Sequence, residues 1–211
     1  MISLEENFYC CLVVNTHLCP NSFNVKVKLE PIKDNNKNYN IALERCSVFF
    51  NEVLDDSILI GPDSMNKFSN PMGLNGTVHT LPDEPYDHLL SIALFTKLNA
   101  IVENVFNVIS VSVTSTQGKG VTHTFDDEHY EIGTNVLREI VDNSNNELTE
   151  YIDYWYNPEL TYFKLHPNGL EKETHSWEKF NLGLQKDNCV VELKSFKPRI
   201  VDEHFNPDEA G

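Results

Sequence analysis

The chain is poor in positive charge. It carries 16 Lys and Arg against 32 Asp and Glu in 211 residues, a formal net charge of −16. Such a field repels nucleic-acid phosphate and anionic membrane surfaces, and it attracts a basic partner. No apolar run approaches the roughly 20 residues that span a bilayer as a helix. The start, MISLEENFY, lacks a basic n-region followed by an apolar h-region. These absences lead us to expect a soluble cytoplasmic protein with no membrane partner and no direct nucleic-acid binding.

Motifs that carry chemistry are equally scarce. No C-x-x-C pair occurs among the five Cys, which excludes a zinc knuckle and a thioredoxin-like redox motif. There is no H-E-x-x-H, no D-x-D-x-D-G and no G-x-S-x-G elbow. The turn Gln117-Gly118-Lys119-Gly120 lacks the spacing of a dinucleotide loop and the Lys-Ser/Thr of a P-loop. No cofactor is expected. Cys10 and Cys11 are adjacent in a strand-like run, so they point to opposite faces. Buried thiols in a reducing compartment are the expectation. A soft-metal group of Cys10, Cys11, His17 and Cys19 is the alternative, although its spacing matches no familiar ligand pattern.

What the sequence does have is clear periodicity. FYCCLVV (8–14) reads as a buried strand, and NVKVKLE (24–30) alternates as a half-exposed one. From Ile41 the period changes. Arg45, Cys46, Phe49, Phe50, Val53 and Leu54 recur at helical spacing, with Asn40 as the predicted N-cap. ILI (58–60) is a short strand, and 61–76 is a long loop with three Gly and two Pro. A largely buried central helix is predicted over about 84–103, with Asp83, Glu84 and Asp87 near its start and Pro85 in its first turn. Hairpins are predicted at 107–126 and 160–177, weaker helices within 134–156, and a last strand at 188–196. The fold class is therefore α+β, an antiparallel or mixed sheet packed against the central helix with two β-hairpins. Residues 1–197 form a single domain in this reading, and 198–211 a polar flexible tail.

Candidate function concentrates between residues 122 and 159. THTFDDEHYEIG (122–133) gathers two His, several carboxylates and a Tyr. On a strand over 121–126, His123 and Phe125 share one face, and Asp126 lies on the other with Thr122 and Thr124. His123, Asp126, Asp127 and His129 form the candidate set for a divalent metal or acid/base site, which would make the protein a metal-dependent hydrolase or nuclease. Other histidines, His79, His88, His166 and His175, could join through the fold.

The same region is more distinctive as a surface. Residues 126–159 hold ten carboxylates and one basic residue, Arg138, and so carry −9 of the −16. Like charges at this density repel one another, and a basic partner would offset that cost. Aromatics border the run, with Tyr151, Tyr154 and Trp155 at i, i+3 and i+4 of a helix. They suit either a binding patch or the lid of a core. The predicted partner face is Asp126, Asp127, Glu128, Glu131, Asp142, Glu150, Asp153 and Trp155.

TLPDEPYDHLLSIALFTKLNAIVENVF, the hairpin ISVSVTSTQGKG behind it and the acidic DDEHYEIG resemble uncharacterised acidic proteins of large tailed bacteriophages, over residues 77–133. The resemblance implies a phage product in a bacterial cytoplasm or a virion. It implies no activity and no site residues. The leading expectation is a non-enzymatic interaction protein that binds a basic surface of a host or viral protein, in one form as a nucleic-acid mimic. A virion or assembly component, with homo-oligomerisation, is the second alternative.

Overall fold

The computed structural model describes residues 1–15, 17–32, 36–65, 76–81, 83–126, 128, 154–166 and 169–185. Eight strands form one mixed sheet: β1 (Ile2–Val14), β2 (His17–Pro31), β3 (Ser57–Ile60), β4 (Thr77–Thr80), β5 (Phe106–Ser115), β6 (Thr122–Asp126), β7 (Leu160–His166) and β8 (Gly169–His175). Their spatial order is β6-β5-β2-β1-β3-β4-β7-β8. β1–β3 and β3–β4 are parallel, and every other neighbouring pair is antiparallel. The fold is α+β with a mixed sheet.

The first two strands are longer than periodicity predicts. Residues 17–22 do not alternate in hydrophobicity, and Pro20 argues against a strand. Proline lacks the N–H that a ladder needs. Here β5 pairs with β2 only from Phe23 onward, so the missing N–H costs no ladder bond. Gln117 Nε2 donates to the Pro20 carbonyl at 3.1 Å and ties the β5–β6 turn to this stretch.

The helical layer follows its sequence pattern closely. Helix α1 (Tyr39–Val48) runs into a π-helical segment, Phe49–Leu54. The positions at helical spacing from Arg45 to Leu54 are the buried ones. The start differs from expectation. The residue before α1 is Asn38, not Asn40, and its side chain does not cap the helix. Its amide bonds to residue 185 instead, donating to Gln185 O at 3.1 Å and accepting from Gln185 N at 2.9 Å. A short turn, α2 (Pro62–Met65), opens the long loop, and 66–75 lie outside the described residues. Helix α3 (Asp87–Val102) has 16 residues. Pro85 precedes it, and Glu103 ends it in the left-handed conformation at φ 39°. Apolar side chains surround α3, so Leu90, Leu94, Phe95, Leu98 and Ile101 are all buried between α1 and the sheet.

The sheet buries both of its faces in part. Phe8, Cys10 and Leu12 of β1 join the main core under the helices. Val13 joins a second cluster on the opposite face, with Ile58, Ile60, Val78, Phe163 and Leu165. Cys10 and Cys11 separate as strand alternation requires, and Cys11 packs against the second cluster. The expected last strand at 188–196, most of the 134–156 helices and the 198–211 tail lie outside the described residues.

The β5–β6 turn leaves little tolerance for change. Ser115 Oγ donates to Asp87 Oδ2 at 2.7 Å and accepts from Gly118 N at 2.9 Å. A Cβ at Gly118 would collide with the buried Asp87 carboxylate. Gly118→Ala is expected to destabilise the protein by about 1–3 kcal/mol, as overpacking does. The mid-point of urea unfolding measures it, and an unchanged mid-point would contradict the tight contact.

Candidate functional site

The structure divides the predicted residues three ways. Asp127, His129, Glu131, Asp142, Glu150 and Asp153 lie outside the described residues. Asp126 ends β6, and exposed Glu128 follows it. Trp155 is a correction to the predicted face. It is 1% exposed, sits in the main core, and donates its indole N–H to the Thr80 carbonyl at 2.8 Å. A side chain closed off in this way offers no area to a partner. Tyr154 is buried beside it, 4.4 Å between ring centroids, so these two aromatics close the core.

The metal reading loses its geometry where it can be followed. Phe125 packs edge-on against Phe95 of α3, and His123 approaches His88 on the same side at 6.1 Å between ring centroids. Thr122 and Thr124 bond to Thr114 and Ser112 of β5 on the other side, the side of Asp126. His123 and Asp126 therefore diverge across the sheet, as the alternation predicts. No group of three or more metal-ligating side chains forms among the described residues. The soft-metal alternative fails on the same ground, because Cys10 and Cys11 face opposite ways. Burial pushes the Cys46 thiol up to about 12, and it raises Cys10 further still. Both are inert packing groups.

Two polar clusters escaped sequence reasoning. In the first, Lys97 is fully buried on α3. Its ammonium donates to three carbonyls, Tyr154 at 2.9 Å, Asn157 at 2.7 Å and Glu159 at 2.8 Å. Three donors thus meet three acceptors. The Tyr154 ring adds a cation–π contact at 5.1 Å. Burial pulls the Lys97 amine down to about 7, with Glu159 opposing that shift. Nearby His79 is fully buried, with Nε2 3.0 Å from the Val53 carbonyl. Its pKa falls to about 4, chiefly through burial, so it is neutral at pH 7.

The second cluster lies on the β7–β8 hairpin. Glu173 accepts from Lys164 at 2.7 Å and from Tyr162 at 3.0 Å, with His175 Nε2 at 3.2 Å. Lys179 Nζ lies 3.0 Å from His175 Nδ1. A donor at Nδ1 places the ring proton on Nε2, facing Tyr162 and Glu173. Lys164 and Tyr162 hold the Glu173 carboxyl down at about 2. Both carboxylate oxygens are engaged, so the cluster ties the two strands of the hairpin together. The sequence signal was cross-strand spacing, since Tyr162 pairs with Glu173.

Lys97 should register in stability. An amine at about 7 when folded and about 10.4 when unfolded binds fewer protons in the folded state between those values. Stability is expected to rise as pH climbs from about 7 towards 10. Lys97→Met is expected to remove that rise and to cost about 1–3 kcal/mol per stranded carbonyl at neutral pH, less any relief from burying no charge. Urea titrations across this pH range test both effects, and the same slope in the variant would exclude Lys97 as its source.

No family model matches the chain, and no curated protein matches it. Solved structures do. An uncharacterised protein of Wolinella succinogenes aligns at 15% identity and a TM-score of 0.45, over 60% of this chain and 97% of that one. Two catalytic-residue mutants of Plasmodium vivax 6-pyruvoyltetrahydropterin synthase each align at 10% identity and a TM-score of 0.36, over 59% of this chain and 94% of theirs. Among the described residues, no helix is long and apolar enough to cross a membrane. Similarity of this size does not extend to chemistry, and the protein's function has to be read from its own side chains.

Proposed function

We propose that the protein is a non-enzymatic interaction protein whose acidic surface docks a basic surface of another protein. One observation carries this reading: among the described residues two cations are buried, and exposed carboxylates outnumber exposed cations. Arg45 and Lys97 are 2% and 0% exposed. Arg45 is spent on the Leu182 and Ile101 carbonyls and on Glu103. Lys164 and Lys26 lie against Glu173 and Glu5. Glu44, Glu52, Asp56, Asp83, Glu128 and Glu159 are exposed. The described surface is therefore net acidic, in keeping with the net charge of −16.

The run 126–159 is the densest part of that field, and we assign the contact to its carboxylates without Trp155. Spaced carboxylates of this kind could take the place of a phosphate track in a basic groove, which is the finer form of the proposal. The phage proteins that residues 77–133 resemble would meet such grooves on host proteins. The finer architecture, α3 as the central support of the sheet, belongs to the same proposal. It would hold the end of the acidic run in place through Lys97.

The test is a pull-down from bacterial lysate at low and high salt. Wild type is compared with a variant carrying Asp126, Asp127, Glu128, Asp142, Glu150 and Asp153 as Asn or Gln, which takes the net charge from −16 to −10. A basic protein retained by wild type, released by salt and lost by the variant is the expected result. Equal capture by both baits, or capture insensitive to salt, would overturn the reading.

A further inference from the structure

The sheet face opposite the helices divides along its strands. Around β3, β4 and β7 it carries the apolar cluster described above. Across β6, β5, β2 and the first half of β1 its in-register rows are hydroxyl, amide or charged. One row runs Thr122, Thr114, Asn24, Asn7, and the next runs Thr124, Ser112, Lys26, Glu5. Tyr9 stands at the border between the two halves, opposite Ser22, and is 65% exposed.

Tyr9 is exposed but not loose. Its backbone N–H donates to Asp55 Oδ1 at 2.7 Å, and its carbonyl accepts from Asp56 N at 2.8 Å. The chain reversal before β3 thus grips Tyr9 just where β3 starts to pair. Hollows lie on both sides of the ring. The larger, about 540 Å³, includes Cys11, Pro20, Ile58 and Ser22 in its wall, and the smaller, about 360 Å³, includes Asn7, Asn24 and Thr114. Tyr9, Ser22 and Thr116 line both, so they form a low ridge between them. Volumes of this order suit small organic ligands.

The chemistry of the face selects its ligand. Ser22 bonds Thr116 at 2.9 Å, Thr114 bonds Thr122 at 2.8 Å and Ser112 bonds Thr124 at 2.8 Å. In each pair one hydroxyl donates, which leaves the other O–H and several lone pairs for a further partner. Asn24 Nδ2 is used by Glu5 and Asn7, and the Asn24 carbonyl oxygen and the Asn7 amide nitrogen are not used in those bonds. One acceptor and one donor on paired residues of the two strands suit the hydroxyls of a polyol. An anion would be repelled by the net charge of −16. A cation would find the one carboxylate of these two rows, Glu5, already held by Asn24 and Lys26. A neutral, hydroxyl-rich ligand with an apolar ring face satisfies the array and stacks on an exposed aromatic.

We propose that this face binds a neutral oligosaccharide, with one sugar ring on Tyr9 and its neighbours in the two hollows. The proposal is independent of the acidic reading, because the residues it uses bear no charge.

The experiment is a titration of the full chain, followed by ¹H–¹⁵N correlation spectra. The probes are a panel of neutral hexose and N-acetylhexosamine oligomers, with a sulphated polysaccharide as control. At least one neutral oligomer is expected to shift the signals of Asn7, Ser22, Asn24 and Thr114. Affinity should fall roughly tenfold or more in Tyr9→Ala and survive in Tyr9→Trp. It should also be the same at about 0.05 M and about 0.5 M salt, unlike docking by the acidic surface. Tyr9 is outside the core, so thermal unfolding should show all three proteins equally folded. The proposal is overturned if no neutral oligomer shifts these signals, if Tyr9→Ala binds as wild type does, or if only the sulphated control binds.

Discussion

The ammonium of Lys97 is the constraint on which the rest of the arrangement depends. It is a charge inside the main core, and its burial is tolerated because three carbonyls converge on it. Those carbonyls belong to the stretch that leads into β7. One side chain on α3 therefore fixes where the second hairpin joins the sheet. Tyr154 and Trp155 are carried into the core by the same anchor, and Trp155 then reaches the end of β4 through Thr80. Arg45 plays a parallel part on α1, where it joins the end of α3 to residue 182 and stacks at 5.0 Å on Trp177. Two buried cations thus attach the described residues 154–166 and 169–185 to the helices.

This internal use of cations shapes the exterior. A protein with few Lys and Arg that commits two of them to its core leaves, among the described residues, a surface on which carboxylates outnumber cations. The acidic surface and the hydroxyl- and amide-rich sheet face are different kinds of ground. One acts at a distance and yields to salt, and the other depends on contact geometry and does not. The interaction reading and the glycan reading can therefore hold together or fail separately.

Much of the framework was legible in the sequence, for identifiable reasons. The helical spacing from Arg45 to Leu54 and the apolar circumference of α3 are strong signals, because burial on a helix repeats at a fixed period. The turn at Gly118 and Gly120 was legible because Lys119 and Gly120 adopt positive φ, which turn residues reveal. The first half of β2 was not, since Pro20 is acceptable only because β5 starts late. The helix start was misplaced at Asn40, and the residue that does precede the helix, Asn38, bonds a residue 147 positions away rather than capping it. The divergence of His123 and Asp126 was readable from alternation alone. Trp155 was ambiguous, because an aromatic beside carboxylates looks alike in sequence whether it faces a partner or the core. Tyr9 gave no signal at all, since its exposure depends on where β3 begins.

The order of strands has a consequence for how the chain assembles. β1–β2, β5–β6 and β7–β8 each pair close neighbours in sequence, so each needs only a short loop to close. The seams that join them do not. β2 meets β5 at Phe23 and Ser115, and β1 meets β3 in parallel through a helical crossover. Three hairpins can therefore form early, while the sheet itself waits for distant segments to find one another. During that wait the strand edges that will become seams are open, and the apolar rows of β1 and β5 lie uncovered. A net charge of −16 makes copies of the chain repel one another at that stage as well as when folded, whether or not any partner is present.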